Sequence, residues 1–155
     1  SRKDLDFLAA ALDDLSVDAN LTLTRSRIEL EQTGRGTMTN LDRPLVNQAP
    51  WVVNLALDYD DEDWGTRARV SYNVSGPSVV EVGAFGIDDA YQQPQHSIDV
   101  TAAQDLGKHL TLKAGVEDLL DSPTRVTQGR RLREGNTRKA YRDGAVVFIG
   151  ASCAY

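Results

Sequence analysis

Six stretches of the 155-residue chain alternate apolar and polar side chains with a period of two, and this pattern constrains the fold more than any other feature. Successive side chains of a β-strand point to opposite faces of the sheet, so the alternation predicts strands with one apolar and one polar face. These strands would exceed the five or six residues typical of soluble sheets. They are predicted at residues 15–24, 51–59, 66–74, 97–106, 109–119 and 145–155.

The polar faces of the predicted strands combine small residues with charges, as at Arg67, Arg69, Asp99, Lys113 and Glu117. Such a face suits either bulk water or a water-filled lumen. The strands therefore predict an all-β, antiparallel fold, but their polar faces alone do not separate a soluble sheet from a membrane barrel.

A short helical turn is predicted at the start of the chain. Leu5, Leu8, Leu12 and Leu15 recur at the spacing of one helix face. A helix this short is marginal by itself, so it does not change the fold class.

The connections between the predicted strands alternate in length. Long segments at 25–50, 75–96 and 120–144 alternate with short turns at 60–65 and 107–108. Structureless loops of about 20 residues are unusual in a compact soluble domain. Short periplasmic turns and longer extracellular loops are typical of outer-membrane β-barrels, so the alternation favours about six strands of a transmembrane β-barrel.

Aromatic residues fall near the two ends of these strands. If the long loops are extracellular, Tyr59, Trp64 and Tyr155 lie near one rim and Trp51 lies near the other. This placement resembles the two aromatic girdles of a membrane barrel. The alternative is that aromatic residues simply favour strands.

Composition and motifs narrow the function classes. With 17 Lys and Arg against 23 Asp and Glu, the net charge of −6 argues against a nucleic-acid partner. Cys153 is the only cysteine, and His96 and His109 are the only histidines, so we expect no metal and no cofactor. Ser71 and the other strand serines lack a nucleophile-elbow context, and we expect the protein not to be an enzyme.

Several strings, taken in order, carry a resemblance to the C-terminal end of a TonB-dependent outer-membrane receptor. The ordered set of strings spans nearly the whole chain. The strings are RKDLDFL at 2–8, LSVDANLT at 15–22, RPLVNQAPWVVN at 43–54, QPQHSID at 93–99, VEDLLD at 116–121, and the ending from Gly144 to Tyr155.

The resemblance implies a 22-stranded barrel whose lumen is filled by an N-terminal plug domain. Residues 1–155 would be the C-terminal part of this barrel, with the plug domain absent and Ser1 marking a cut. The implied function is energised uptake of a scarce nutrient such as an iron chelate. The implied partners are the lipid of a Gram-negative-type outer membrane, the TonB energy-coupling complex acting through the missing plug, the barrel-assembly machinery and the small-molecule nutrient.

The end of the chain resembles the signal that the barrel-assembly machinery reads in outer-membrane proteins. Ile149, Gly150 and the terminal aromatic Tyr155 match that pattern, whereas Cys153 stands where an aromatic residue is common. The resemblance therefore implies an assembly signal with one departure from the usual pattern.

A basic segment in the last long loop supplies the candidate ligand contacts. From Thr124 to Arg142 there are seven basic residues against Glu134. Arg130, Arg131 and Arg133 would contact an anionic ligand together with Tyr91 of the preceding long loop; the alternative is ordinary loop solvation. Two other functions stay open, a soluble β-barrel or sandwich binding module and a passive outer-membrane pore.

Overall fold

The computed structural model describes residues 13–29 and 36–154, and this part of the chain contains twelve β-strands. The predicted helical turn lies almost wholly outside the described residues, apart from Leu15, which begins the first strand. The strands are β1 (Leu15–Leu23), β2 (Ile28–Glu29), β3 (Asp42–Arg43), β4 (Trp51–Asp61), β5 (Thr66–Ser75), β6 (Ser78–Glu81), β7 (Ala90–Gln92), β8 (His96–Leu106), β9 (Leu110–Glu117), β10 (Thr124–Gln128), β11 (Thr137–Tyr141) and β12 (Val146–Cys153).

The six long strands form one antiparallel sheet, the main sheet, in the order β1-β4-β5-β8-β9-β12. Each long strand pairs with the long strands that precede and follow it along the chain. All six predicted strands are present, and their ends differ from the predicted ends by no more than two residues. The prediction of an all-β antiparallel fold is confirmed.

The register of the main sheet keeps apolar side chains in common rows. One row crosses all six strands on the apolar face, and the adjacent row crosses them on the polar face. The apolar row is Val17, Leu57, Val70, Val100, Val116 and Val147, and the polar row is Ser16, Asp58, Arg69, Thr101, Gly115 and Phe148.

The apolar face of the main sheet is open. Leu57 is 45% exposed and Val147 is 69% exposed, although both lie in the apolar row. A soluble barrel or sandwich buries this face against a second layer. The exposure therefore argues against the soluble-module alternative and agrees with strands that turn their apolar faces to lipid.

The long connections contain structure that the sequence pattern did not predict. They hold a four-stranded sheet in the order β11-β10-β7-β6 and the small pair β2–β3. These strands have two to five residues, too few for an alternating pattern to stand out. The interpretation of these connections as loops was therefore incomplete.

The three long connections join into one unit at one end of the main sheet, which we call the loop layer (residues 24–29, 36–50, 76–95 and 118–145). Strand β7 of the second connection pairs with β10 of the third. The bridges Met38–Ala84 and Val46–Val79 tie the first connection to the second. The opposite end of the main sheet, with the turns at 62–65 and 107–109, is the short-turn end.

The most deeply buried side chains of the described residues lie in the loop layer. Val79, Asp89, Ala90 and Thr127 are each no more than 1% exposed. The main sheet has few such residues because its apolar face is open. Strands β1 and β12 form its two edges, and the sheet does not close on itself within the described residues. Both edges present unpaired backbone groups to further strands.

Candidate functional site

Two cavities lie along the polar face of the main sheet, and a third lies beyond them in the loop layer. The lower cavity, of about 520 Å³, is lined by charged side chains of the middle strands and by Phe148. The middle groove, of about 500 Å³, is lined by the other halves of these strands and by Gln92 and Gln95 of the loop layer. The upper cavity, of about 260 Å³, lies where the strands enter the loop layer.

Charges in the lower cavity are largely paired across neighbouring strands. The Arg69 guanidinium lies 2.8 Å from the Asp58 carboxylate, and the Arg67 guanidinium lies 2.8 Å from that of Asp105. These pairs are partly exposed, so each contributes at most about 1 kcal/mol to stability. Lys113 also lines this cavity and has no ion-pair partner among residues 13–29 and 36–154.

The middle groove is acidic. Glu117, Asp118 and Asp143 line it. The Asp118 backbone N–H donates to the Asp99 carboxylate over 2.9 Å, and one Asp118 carboxylate oxygen is buried with no hydrogen-bond partner in the described part of the chain. Within that same part, no three His, Cys, Asp or Glu side chains are grouped so that they could hold a metal ion.

The upper cavity collects side chains from all three long connections. Arg25 and Gln48 come from the first connection, Pro77 and Tyr91 from the second, and Arg130 from the third. Pairing of β7 with β10 sets Tyr91 opposite Thr127, three residues before Arg130.

The backbone around Arg130 is fixed by short-range contacts. Gly129 has a φ of +83°, a conformation that L side chains rarely adopt, and its N–H donates to the Asp89 carbonyl over 2.8 Å. The Gln93 side-chain amide donates to the Arg130 carbonyl over 3.3 Å and to the Thr127 hydroxyl over 2.7 Å. The turn that presents Arg130 to the upper cavity is therefore tied to the second connection.

Tyr91 stays protonated in this setting. Burial raises the pKa of the Tyr91 phenol, and the neighbouring Asp89 carboxylate raises it further, against the opposing effect of the Arg130 guanidinium. A protonated phenol can donate a hydrogen bond to an anion or accept one from a donor.

The structure brings together two of the four residues that the sequence suggested for ligand contact. Tyr91 and Arg130 line the upper cavity, whereas Arg131 and Arg133 do not. Arg133 donates its backbone N–H to the Asn136 side chain over 2.8 Å, and Asn136 donates to the Arg131 carbonyl over 2.8 Å. Both arginines are thus exposed members of a turn beside the cavity.

Two further cavity residues were missed by sequence reasoning. Arg25 directly follows the first predicted strand, and Gln48 precedes the second. The only available signal was that both stand beside a strand end at the loop-layer side. A place beside a strand end does not by itself indicate ligand contact. Arg25 and Gln48 become candidates only because the third connection brings Arg130 into the same cavity.

The residues suggested for the aromatic girdles lie at the two ends of β4 and in the turn after it. Trp51 and Tyr59 both belong to the alternating set of β4 residues on the apolar face. They are eight residues apart, which is about 27 Å along the strand at 3.4 Å per residue. Trp64 is 78% exposed at the short-turn end. With the strand tilt of about 35–45° in outer-membrane barrels, the length from Trp51 to Tyr59 corresponds to a rise of roughly 20 Å, comparable with their apolar band of about 25 Å. Contact with lipid stays a prediction.

Two of the three residues suggested for the assembly signal, Ile149 and Gly150, lie on the edge strand β12. Ile149 is 84% exposed on the apolar face, and Gly150 is its neighbour on the polar face. Tyr155 lies outside the described residues. Recognition of this end of the chain by the assembly machinery stays a prediction.

The fold and the polar face together define a class. A consecutive antiparallel sheet with an open apolar face, a cavity-lined polar face, short turns at one end and long connections at the other is a section of an outer-membrane-type β-barrel wall. Among residues 13–29 and 36–154 there is no helix with the length and apolar character needed to cross a bilayer.

The comparison with known families is consistent with this class. Residues 4–119 match the family described as TonB dependent receptor-like, beta-barrel, and the chain belongs to this family. Strand β12 lies beyond the matched residues but continues the same sheet through eight paired positions with β9. No curated protein and no solved structure matches the chain.

Membership of the family gives the coarse function. These are transport receptors rather than enzymes, they are typically outer-membrane proteins, and they work in general with TonB and a small-molecule nutrient. The family therefore favours a receptor over a passive pore, and it names no particular nutrient for this chain.

Proposed function

We propose that residues 1–155 are the C-terminal part of a receptor for energised uptake of a scarce small-molecule nutrient, such as an iron chelate, across the outer membrane of a Gram-negative-type cell. A plug domain elsewhere in the complete protein would fill the barrel and contact the TonB energy-coupling complex. The barrel-assembly machinery would read the end that contains Ile149, Gly150 and Tyr155. No cofactor and no nucleic acid take part.

The observation that supports this proposal best is the contrast between the apolar and the polar face of the main sheet. The apolar row of six strands is open to its surroundings, the other face holds two cavities lined in part by charged side chains, and a third cavity lies in the loop layer beside them. An apolar exterior suits lipid, and a wetted polar face suits the plugged, polar interior of a receptor barrel. Trp51, Tyr59 and Trp64 would then meet the two membrane interfaces.

The nutrient would first meet the loop layer. Tyr91 and Arg130 line its cavity, and Arg131 and Arg133 extend the basic surface beside it. Because the three connections are already joined by strand pairing, their side chains are pre-organised, which lowers the entropy cost of binding. Ligand contact by these four residues is part of the proposal.

The direct test is uptake by cells that produce the complete protein. Iron-starved cells with and without the gene are supplied with a panel of radiolabelled ferric chelates, and each strain is measured with and without TonB. We expect at least one chelate to accumulate only when both the receptor and TonB are present. Accumulation that does not depend on TonB would indicate a passive pore, and a protein recovered from the soluble fraction would contradict the membrane location.

A further inference from the structure

The upper cavity combines two arginines with no acidic residue in its lining. Arg25 and Arg130 enter it from two different connections, and its other lining residues are Thr24, Ser26, Pro44, Gln48, Pro50, Pro77 and Tyr91. Within residues 13–29 and 36–154, neither arginine has a carboxylate within ion-pair distance. Two like charges that share a small cavity repel each other, and an anion between them removes that cost.

This arrangement differs from that of several other arginines in the same molecule. Arg67, Arg69, Arg138 and Arg142 each lie within 4 Å of a carboxylate of the described residues. These arginines are neutralised within the described part of the chain, whereas the two guanidinium groups that share the upper cavity have no carboxylate partner there.

Uncharged hydrogen-bonding groups complete the lining. The Tyr91 phenol is protonated and can donate to an anion, and the Gln48 side-chain oxygen is buried without a hydrogen-bond partner in the described part of the chain. A buried polar atom without a partner is costly in a folded protein and marks a place where a ligand group or water completes the site. Thr24 and Ser26 add two hydroxyl groups.

The volume of the cavity limits what it can hold. At about 260 Å³ it lies below the range of about 300–1,000 Å³ common for whole small-molecule sites. It therefore suits one anionic group at the end of a larger ligand. The rest of the ligand can extend toward the middle groove, because Pro50, which lines the upper cavity, is only two residues before Val52, which lines the middle groove.

We infer that the upper cavity is an anion subsite in which Arg25 and Arg130 hold a carboxylate or phosphate group of the transported nutrient, an inference that rests on the proposed function. Planar guanidinium groups bind both anions through paired N–H donors, so the two groups share one recognition chemistry. Because its two arginines come from the first and third connections, the subsite exists only when the loop layer is assembled.

The test uses the complete receptor purified in detergent and titrated by calorimetry, in separate arms, with citrate and with inorganic phosphate. We expect saturable binding of at least one probe. Affinity should fall about tenfold or more in Arg25→Gln and in Arg130→Gln, which is the loss of one hydrogen-bonded charge. The matched control is Arg125→Gln, which removes the same charge from the exposed side of β10, outside the cavity.

A second measurement covers the case in which a glutamine variant does not fold. Arg25→Lys and Arg130→Lys keep the charge but lose the paired donors, so they should weaken binding less than glutamine does while heat-dependent gel mobility stays that of the wild type. Higher salt should also weaken binding to the wild type.

The outcomes separate this inference from the proposed function. The subsite is wrong if neither probe binds the wild type saturably, or if the cavity variants bind as well as Arg125→Gln does. TonB-dependent uptake could then still be intact, and the receptor proposal would stand. If cells that produce the wild-type protein show no TonB-dependent uptake, the receptor proposal is contradicted, whatever the calorimetry shows.

Discussion

At the scale of single residues, Glu81 links the two edges of the loop-layer sheet. Strands β6 and β11 lie at opposite edges, yet the Glu81 carboxylate lies 2.7 Å from the Arg138 guanidinium and 3.2 Å from the Lys139 ammonium. A break in register beside each contact, next to Val80 in β6 and Arg138 in β11, helps to turn these side chains toward one another. Glu81 thus closes the sheet that carries Tyr91.

The protonation of Glu81 should control how firmly this sheet is closed. Hydrogen bonding from Lys139 and the charge of Arg138 lower the pKa of Glu81 from its ordinary value of 4.5. A lowered pKa means that the contribution to stability is present above the ordinary pKa and is lost as pH falls through the pKa of the folded state. We expect amide hydrogen exchange in β6 and β11 to accelerate in acid.

The control for this prediction is Glu81→Gln, which removes the titrating group. The exchange rates of β6 and β11 in this variant, once corrected for the intrinsic pH dependence of exchange, should be higher than in the wild type at neutral pH and should not change further in acid. Equal acid sensitivity in the variant and the wild type would assign the effect to another group.

A second residue-scale feature is the pairing of Gly115 with Phe148 on the polar face. A Cβ built on Gly115 would lie 2.5 Å from the Phe148 ring and 2.9 Å from the Val100 carbonyl oxygen. Gly115→Ala should therefore lower the free energy of unfolding by about 1–3 kcal/mol, measured by urea titration in detergent micelles. Gly150→Ala, where nothing lies within 4 Å, should change it far less. If the two variants lost the same free energy of unfolding, the close approach of Phe148 and Val100 to Gly115 would have no specific effect on stability.

At the scale of elements, the middle of β5 tests the assignment of the two faces. Val70 lies in the apolar row between Leu57 and Val100, and Ser71 faces the polar side between Ala56 and Asp99. Val70→Arg should cost about 2–4 kcal/mol in membrane insertion because it sets a charge in lipid near the middle of a spanning strand.

Ser71→Arg introduces the same charge one residue later and serves as the matched control. It should assemble nearly as well as the wild type because the Asp99 carboxylate is its cross-strand neighbour. The amount of folded complete receptor in the outer membrane measures both variants. An equal defect in the two would contradict the register of β5.

At the scale of the whole molecule, nothing in the described part of the chain covers the apolar face of the main sheet or pairs with its two edge strands. Its apolar face is open, and its edges β1 and β12 are unpaired within the described residues. Six strands are fewer than the eight or so that close even a barrel filled with side chains. We therefore expect residues 1–155, produced alone, to aggregate in plain buffer, and we expect the complete receptor to refold only with lipid or detergent.

Circular dichroism and gel filtration measure this prediction. A monomer of residues 1–155 that stays folded and soluble without detergent would contradict the membrane assignment and restore the soluble-module alternative. The loop layer should keep its pairing in the complete receptor, which protection of β7 and β10 from hydrogen exchange would report.

The sequence predicted the long strands far better than it predicted the candidate site. The long strands, their ends and both faces were predictable because the period of two is a local property that each strand carries by itself. The loop-layer strands were not predictable because strands of two to five residues leave no periodic pattern. Of the candidate contacts, Tyr91 and Arg130 could be named from their chemistry, but their meeting could not.

The sequence by itself therefore determined the fold class, the two faces of the main sheet and the end at which the long connections gather. Only the tertiary structure decided that these connections form one layer and that Arg25, Tyr91 and Arg130 share a cavity. The physical reason is range. Alternation is encoded between neighbours in the chain, whereas Tyr91 meets Thr127 only through strand pairing between distant segments, which no local pattern specifies.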